Sequence, residues 1–542
     1  MLMRKMIFWV FLVVIGGVIL YPMGWLVGGT GLRPASVLAF LEDERVVTLL
    51  LRTIGMGVLG TLASGTLGTF LAFLVKRTDI PGKRIVSTLT LASYMTPSFL
   101  LAFAYVMMLA PNSGLINRLI EQSTGISRAF NVFGTGGFVL LATFEATPIV
   151  YLIMSHVLSS MHRSLEEGAR ILGASTWRVL RTITFPLALP GLAAASLLVF
   201  VNVISLYGVP AVLGVPVVTT EIQALFSWPP KYDQAALFAV SIILLSLVAV
   251  FLNRTLIQGQ ERYATVTGRW VPPEDIKLGR WRLPALFLAL VYLSFSVVIP
   301  YLILAIASLS KNWTLGVSGS NFTLYNYTRL FQDQYNIRAI TNSLVLAVAA
   351  ATLGVTIGFV VAYIEHRATN FKGRRLLDYL AMLPWGIPSI ALGAALIVSF
   401  TRPPVLYGTL WILLYSYFVK FMPLAVRATS SAIKQVQLEL EEAARISGAS
   451  DWRTVLGITI PLVRGGLVAG WFLMFFPSLR ELSSSILLIS PGHETLAVAA
   501  LTAWESVNFE GATALAVTTL AISVVPWILI STLNRGMEIE IA

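Results

Sequence analysis

Apolar residues run along this chain in long blocks, separated by short stretches in which Lys, Arg, Glu and Gly collect. The blocks lie near 6–28, 48–75, 85–110, 136–158, 186–207, 237–256, 283–309, 341–364, 377–400, 407–427, 464–487 and 513–533. A run of about 20 apolar residues matches the thickness of a bilayer core at the rise of an α-helix. Backbone in hydrocarbon has to bond to itself, so each block predicts a transmembrane helix. The period-2 alternation of a membrane barrel is absent. The first block is flanked by Arg4 and Lys5, as a signal peptide would be. Its apolar stretch exceeds the roughly 7–15 residues usual there and no A-x-A-like site follows, so it predicts an uncleaved span.

Composition supports this reading. The chain has 542 residues, of which 56% are hydrophobic and only 12% charged, against roughly 25% charged in a soluble average. Its mean hydropathy is +0.80. The absence of cysteine removes disulfides, thiol catalysis and thiolate-held clusters. A net charge of +12 raises the question of nucleic acid. With the N-terminus placed inside and the spans alternating, however, most Lys and Arg fall on the cytoplasmic side, the sense that membrane topology requires. The charge is therefore topological, both termini are expected in the cytoplasm of a bacterial cell (inner) membrane, and no nucleic-acid partner is implied.

The chain repeats itself. Glu166-Glu167-Gly168-Ala169-Arg170-Ile171-Leu172-Gly173-Ala174-Ser175 recurs as Glu441-Glu442-Ala443-Ala444-Arg445-Ile446-Ser447-Gly448-Ala449-Ser450, and Ile183-Thr184-Phe185-Pro186 recurs in the same register as Ile458-Thr459-Ile460-Pro461. Pro97-Ser98 answers Pro388-Ser389, and Gly82-Lys83-Arg84 answers Gly373-Arg374-Arg375. Inside and outside follow in the same order in both copies, so the repeat is parallel. The expected organisation is an all-α polytopic membrane protein: a first six-span half over 1–256, a cytoplasmic linker over 257–282, and a second six-span half over 283–542.

The repeated loops, 159–185 and 428–461, read as short amphipathic helices on the cytoplasmic face. Leu165, Ala169 and Leu172 share one face, and Glu166 precedes Arg170 by four residues on the other, an order that supports helix. Gly173 and Gly448 suit a helix end or a close backbone approach, and Pro186 and Pro461 suit the first turn of the next span. Each loop taken alone could be an interfacial tether; two copies agreeing at charged and glycine positions favour a docking element.

On these residues the chain resembles the permeases of ATP-binding-cassette importers, whose signature loop reads Glu-Ala-Ala, three residues, Gly, nine residues, Ile-x-Leu-Pro. Here it is Glu167-Gly168-Ala169…Gly173…Ile183-Thr184-Phe185-Pro186 and Glu442-Ala443-Ala444…Gly448…Ile458-Thr459-Ile460-Pro461, departing at Gly168, Phe185 and Ile460 only. The resemblance implies the type I importer permease fold, with a coupling helix in each loop seated on an ATPase subunit. Two ATPase copies per chain and an extracytoplasmic substrate-binding protein follow from it. Glu166 and Glu441 stand beside the signature and are included with it as coupling residues. Walker-type Gly-x-x-x-x-Gly-Lys-[Ser/Thr] does not occur in the chain, so ATP and Mg are expected on the partner subunits, with no cofactor and no enzymatic chemistry here. An ion-coupled transporter or a channel is the competing class, and neither explains paired loops.

Fused halves of this length resemble ferric-iron permeases, through Leu206-Tyr207-Gly208-Val209-Pro210, Arg480-Glu481-Leu482-Ser483 and Pro491-Gly492-His493-Glu494-Thr495. Thiamine, phosphonate, polyamine and sulfate permeases are the related alternatives. Charges inside spans usually face a cavity or a partner, which makes Glu145, Tyr207, Lys420, Arg480, Glu481 and Ser483 pathway candidates. Glu145 and Lys420 occupy matching repeat positions with opposite charge, and could line the pathway or form a structural pair. Ferric iron would favour oxygen ligands, yet no carboxylate cluster looks like a high-affinity metal site. Selectivity is then expected in the binding protein, docked on external loops 208–236 and 487–512 through Glu221, Trp228, Lys231, His493 and Glu494, any of which could instead be an ordinary interfacial residue.

Overall fold

The computed structural model describes residues 2–28, 34–161, 163–260, 274–367, 373–401 and 404–533; residues 261–273 of the expected linker and the C-terminal residues 534–542 lie outside these. The chain is built of helices, with two isolated β-bridges and no strand among the described residues. Among the described residues, nine helices are long and apolar enough to cross a membrane: Phe8–Gly28, Glu44–Arg77, Thr135–Ser159, Thr176–Ile204, Tyr232–Asn253, Gly279–Ser308, Gln334–Arg367, Leu410–Gln435 and Asp451–Leu479. Each falls on an expected block. The twelfth block forms the helix Phe509–Leu533.

The blocks at 85–110 and 377–400 differ from expectation. Each is a pair of helices, Lys83–Tyr94 with Ser98–Leu109 and Arg374–Gly386 with Ser389–Phe400, bent by 101° and 105°. The prolines noted in the repeat are the cause. Pro97 and Pro388 take extended backbone, with ψ of 133° and 138°, and proline disfavours helix in the residue before it. A 12-residue helix such as Ser98–Leu109 spans about 18 Å, too short to cross alone. Phe99–Tyr105 and Ile390–Ile397 are buried throughout, as broken backbone at membrane depth has to be.

Prolines also widen helices. Pro186, Pro461 and Pro300 each follow a five-residue π-helical stretch, at Leu180–Thr184, Val455–Thr459 and Ser294–Val298. A proline inside a helix lacks its donor and its ring presses on the carbonyl four residues back; a wider turn relieves both.

The segments after Thr176–Ile204 and Asp451–Leu479, which include those read as external loops, are folded. They hold short helices, Gly208–Leu213 and Val218–Phe226 in the first copy and Ser485–Leu488 and Leu496–Glu505 in the second. Tyr207, Val209, Leu213, Leu496 and Leu501 are buried. Both copies are pinned in the same way. Thr53 Oγ1 accepts from the Val218 amide at 3.0 Å, and Ser343 Oγ accepts from the Leu496 amide at 2.7 Å. Each hydroxyl caps a helix that begins in a distant part of the sequence, satisfying an otherwise orphaned donor.

Packing divides the chain into two units that do not coincide with the sequence halves. One takes the described residues of Met1–Phe40, Glu221–Ile243 and Tyr327–Ile541; the other takes Leu41–Thr220 and Leu244–Asn326. The first span thus packs with helices of the second repeat, where Tyr415 donates its hydroxyl to the Val18 carbonyl. In the other unit, Tyr105 donates to the Phe295 carbonyl at 2.9 Å, joining a first-copy helix to the span that opens the second copy.

Within bundles the close contacts fall on small residues, since lipid tails give helices no hydrophobic reason to associate. Gly60, Ser64 and Gly68 recur every four residues and are buried. A Cβ on Gly68 would lie 2.5 Å from Val150 Cβ and 2.8 Å from the Thr147 carbonyl oxygen. Gly68→Val is therefore expected to separate these two helices at a cost of about 1–3 kcal/mol. Thermal unfolding of the detergent-purified protein should show a lowered midpoint, whereas Gly55→Val, where a Cβ meets open space, should leave it in place.

Candidate functional site in the paired loops

Both repeated loops fold as a short helix, a glycine turn and a second helix that runs on into a span. The first helices are Arg163–Ile171 and Leu438–Ile446, and the second ones begin at Thr176 and Asp451. Gly173 and Gly448 have φ of 81° and 86°, in the left-handed region that side chains other than glycine resist. The turn closes identically in each copy. Gly173 N donates to the Arg170 carbonyl at 2.9 Å and Ala174 N to the Ala169 carbonyl at 3.0 Å; Gly448 N donates to Arg445 and Ala449 N to Ala444, at 3.0 and 2.9 Å. These bonds satisfy carbonyls that a helix end leaves free. Ser175 and Ser450 then start the second helices, accepting from the amides of Arg178 at 3.4 Å and Arg453 at 3.3 Å.

The acidic pairs separate by direction. Glu166 and Glu441 turn inward and are 6% and 0% exposed. Glu442 is exposed and Glu167 half-buried. In the first copy Arg77, the last residue of the Glu44–Arg77 helix and itself fully buried, pairs with Glu166. Thr184 Oγ1 donates to the same carboxylate oxygen at 2.9 Å. In the second copy Arg367, at the end of Gln334–Arg367, reaches Glu441 Oε1 with Nε at 2.9 Å, and Thr459 Oγ1 donates to that oxygen at 3.0 Å. Tyr363 adds a hydroxyl at 3.1 Å from Glu441 Oε2. Arg367 also donates to the Val436 carbonyl at 2.7 Å, closing the end of the helix that leads into the loop. Ala362, Ile433, Val436 and Val463 pack beside it as a buried apolar cluster.

The outer surface of each loop is apolar. Ile171 and Leu172 are 85% and 88% exposed, Ile446 is 87%, and Trp177 and Trp452 are 70% and 71%. Gly173, Gly448, Ala443, Pro186 and Pro461 are exposed, while Ala169, Ala444, Ile183 and Ile458 are partly covered. Isolated exposed leucines are unremarkable, but the same apolar and tryptophan positions exposed twice mark an interaction surface. Leu172 and Leu165 are thus exposed while Ala169, expected on the same face, is partly covered, and Glu166 on the opposite face is the residue that turns inward.

Arg77, Arg367, Thr184, Thr459 and Tyr363 belong to this site and were not singled out from sequence. The threonines were visible as the shared second residue of Ile-Thr-x-Pro. The arginines looked like ordinary cytoplasmic charges, because a helix end and a loop 89 or 74 residues apart give no local sign of contact.

Among the pathway candidates, Lys420 and Glu481 share a neighbourhood but form no ion pair with each other. Lys420 Nζ donates to the Ile387 carbonyl at 2.6 Å, at the break of the second bent pair. Glu481 is buried, accepts from Ser484 N at 2.9 Å, and acts electrostatically on Lys420. Tyr207 is buried, whereas Glu145, Arg480 and Ser483 are partly covered. Of the docking candidates, Trp228 is 91% exposed and Lys231 is exposed, and Glu221 and His493 are partly covered. Glu494 is buried, its Oε1 accepting from Gly492 N at 2.9 Å; it shapes its own loop, since a carboxylate is the natural acceptor for a turn amide.

Comparison with known proteins places these features in a wider set. A family described as "Binding-protein-dependent transport system inner membrane component" matches residues 64–262 and again 354–539. A Haemophilus influenzae protein named as a ferric transport system permease is 26% identical over 486 residues, covering 85% of this chain and 73% of that protein. The ferric transport system permease FbpB of Actinobacillus pleuropneumoniae is 25% identical over 477 residues, covering 85% of this chain and 67% of its own. A Salmonella paratyphi A protein named as a 2-aminoethylphosphonate transport permease is 28% identical over 226 residues, 42% of this chain and 84% of that one.

Proposed function

We propose, from the premise that this chain belongs to the family of binding-protein-dependent transport system inner membrane components, that it passes ferric iron into the cytoplasm by alternating access. The chain is the multi-pass permease of an ATP-binding-cassette importer. In the proposed assembly two separate ATPase copies hold ATP and Mg, one on each loop, and both termini of the permease are cytoplasmic.

The observation that carries this reading is the duplicated loop, with its apolar outer surface at Ile171, Leu172 and Trp177 and again at Ile446 and Trp452. ATP binding draws the two motor copies together, the loops follow, and the bundles move as bodies because packed helices resist gradual deformation. An extracytoplasmic binding protein supplies the cargo, with Trp228 and Lys231 as its proposed contacts. Iron is favoured over phosphonate because relatives named for ferric transport align along both halves, whereas the phosphonate relative aligns along less than half of the chain. A ferric ion needs only weak oxygen contacts in passage, since tight ligation would hold it there.

The test is reconstitution of the permease with its ATPase and binding protein in proteoliposomes. Ferric-loaded binding protein should stimulate ATP hydrolysis and carry radiolabelled iron inward. Stimulation by 2-aminoethylphosphonate and not by iron would transfer the cargo to the phosphonate class while leaving the importer intact. Failure of the ATPase to associate at all would remove the importer reading.

A further inference from the structure

The buried carboxylates Glu166 and Glu441 point away from the surface that a motor would touch. Each is held on one oxygen by an arginine from the end of a span, Arg77 or Arg367, and by the threonine that precedes the next span, Thr184 or Thr459. Three elements distant in sequence therefore meet at one atom: the close of one helix, the loop helix, and the widened turn into the following span. The arrangement occurs twice, with matching residue types at every corner. Burial makes it tight, because an uncompensated charge there has no water to turn to. Arginine at a helix C-terminus is also favoured by the helix dipole.

We infer that Arg77–Glu166–Thr184 and Arg367–Glu441–Thr459 are force-transmitting latches, positioning residues that fasten each loop helix to its own bundle so that displacement of the loop moves the bundle. The role rests on the importer reading above. A loop helix of nine residues joined to its bundle only by its two chain ends could tilt while the spans stayed still; a three-way buried tie at its inner face removes that freedom. The second latch is the stronger, since Tyr363 and Arg445 add contacts to Glu441 at 3.1 and 3.5 Å.

The chain has no cysteine, so paired spin labels can be placed cleanly. Labels at Ser164 and Leu62 report the first loop against the span that ends in Arg77; labels at Ser164 and Glu439 report loop against loop. Both label pairs are measured by pulsed electron resonance, nucleotide-free and trapped with ATP and vanadate, in wild type, in Thr184→Val, and in Arg77→Gln/Glu166→Gln with and without the corresponding Arg367→Gln/Glu441→Gln pair. Neutralising both partners leaves no orphaned charge, so the bundle keeps its fold. In wild type the Ser164–Leu62 distance should stay single and unmoved by nucleotide while the Ser164–Glu439 distance shifts. In the first double variant the Ser164–Leu62 distance should shift on trapping, with the ATPase still bound and hydrolysing. Thr184→Val, which removes one arm of the tie and leaves the ion pair in place, should give a smaller shift than the double variant. An unmoved Ser164–Leu62 distance in the double variant overturns the latch alone. Loss of the ATPase on co-purification of that variant also overturns it, because the residues would then be shaping the docking surface. A wild-type complex that fails to assemble, or whose loop-to-loop distance ignores nucleotide, overturns the importer reading and the latch with it.

Discussion

Replacing Gly173 and Gly448 by valine abolishes ATP-driven uptake in a protein that still inserts and folds. Both glycines stand at φ above 80°, and a Cβ at either position would meet no atom within 4 Å. The effect is therefore conformational, not steric crowding. A left-handed backbone costs roughly 1–2 kcal/mol for an ordinary residue, and a β-branched one is a genuine outlier there. That amounts to a factor of roughly 5–30 in the population of the correct turn, and the loss is felt in two loops at once. When the turn opens, the carbonyls of Ala169 and Ala444 lose their donors and the apolar outer residues leave their common surface. Global stability changes little, since both turns are exposed. Asparagine, which enters the left-handed region more readily, should retain part of the activity in each position. Uptake and stimulated ATP hydrolysis of the reconstituted complex, with size-exclusion profiles as the control for folding, check this. Uptake by the double valine variant close to wild type would show that the turn does not set the docking surface.

The second large effect is on stability and comes from Lys420→Met. The bend at Pro388 breaks the helix ladder and leaves the Ile387 carbonyl in need of a donor, which Lys420 supplies at 2.6 Å. Its ammonium also neutralises a neighbourhood that contains the buried Glu481. A buried carbonyl left without its donor costs about 1–3 kcal/mol, and loss of the nearby positive charge adds to the cost of burying Glu481. Lys420→Met should lower the unfolding midpoint, and Lys420→Met/Glu481→Gln should recover only the part owed to Glu481, since the Ile387 carbonyl stays without its donor. Glu481→Gln alone keeps an acceptor for Ser484, so it should assemble normally and lose transport. Additive losses in the double variant would show that the two residues do not interact. Loss of assembly in Glu481→Gln would make the carboxylate structural and take it out of the proposed pathway.

Arg77 and Glu166 show where reading the sequence stops. Glu166 and Glu167 are adjacent, identical and duplicated in the second copy, and nothing local distinguishes them. Which one is buried depends on the arrival of an arginine from another helix, a contact that periodicity does not encode. Pro97 and Pro388 illustrate the opposite case: both were visible in the repeat, and their local physics contains the helix break. The bends of 101° and 105° became apparent only once the surrounding helices were in place to cover the broken backbone. The segments after Leu206 and after Glu481 looked like external loops because they are short and punctuated by Gly and Pro. Their helices are capped by hydroxyls from Thr53 and Ser343, residues that no local pattern links to them.

The apolar helices, the parallel repeat and the two repeated loops were determined by the sequence itself, because hydrocarbon thickness, self-satisfied backbone and duplicated motifs act on neighbouring residues. Tertiary structure alone decided which acidic residue of each pair turns inward, which helices share a bundle and how the first span joins the second repeat. Those outcomes depend on burial and charge compensation between residues far apart in the chain, and such terms exist only after the helices have packed.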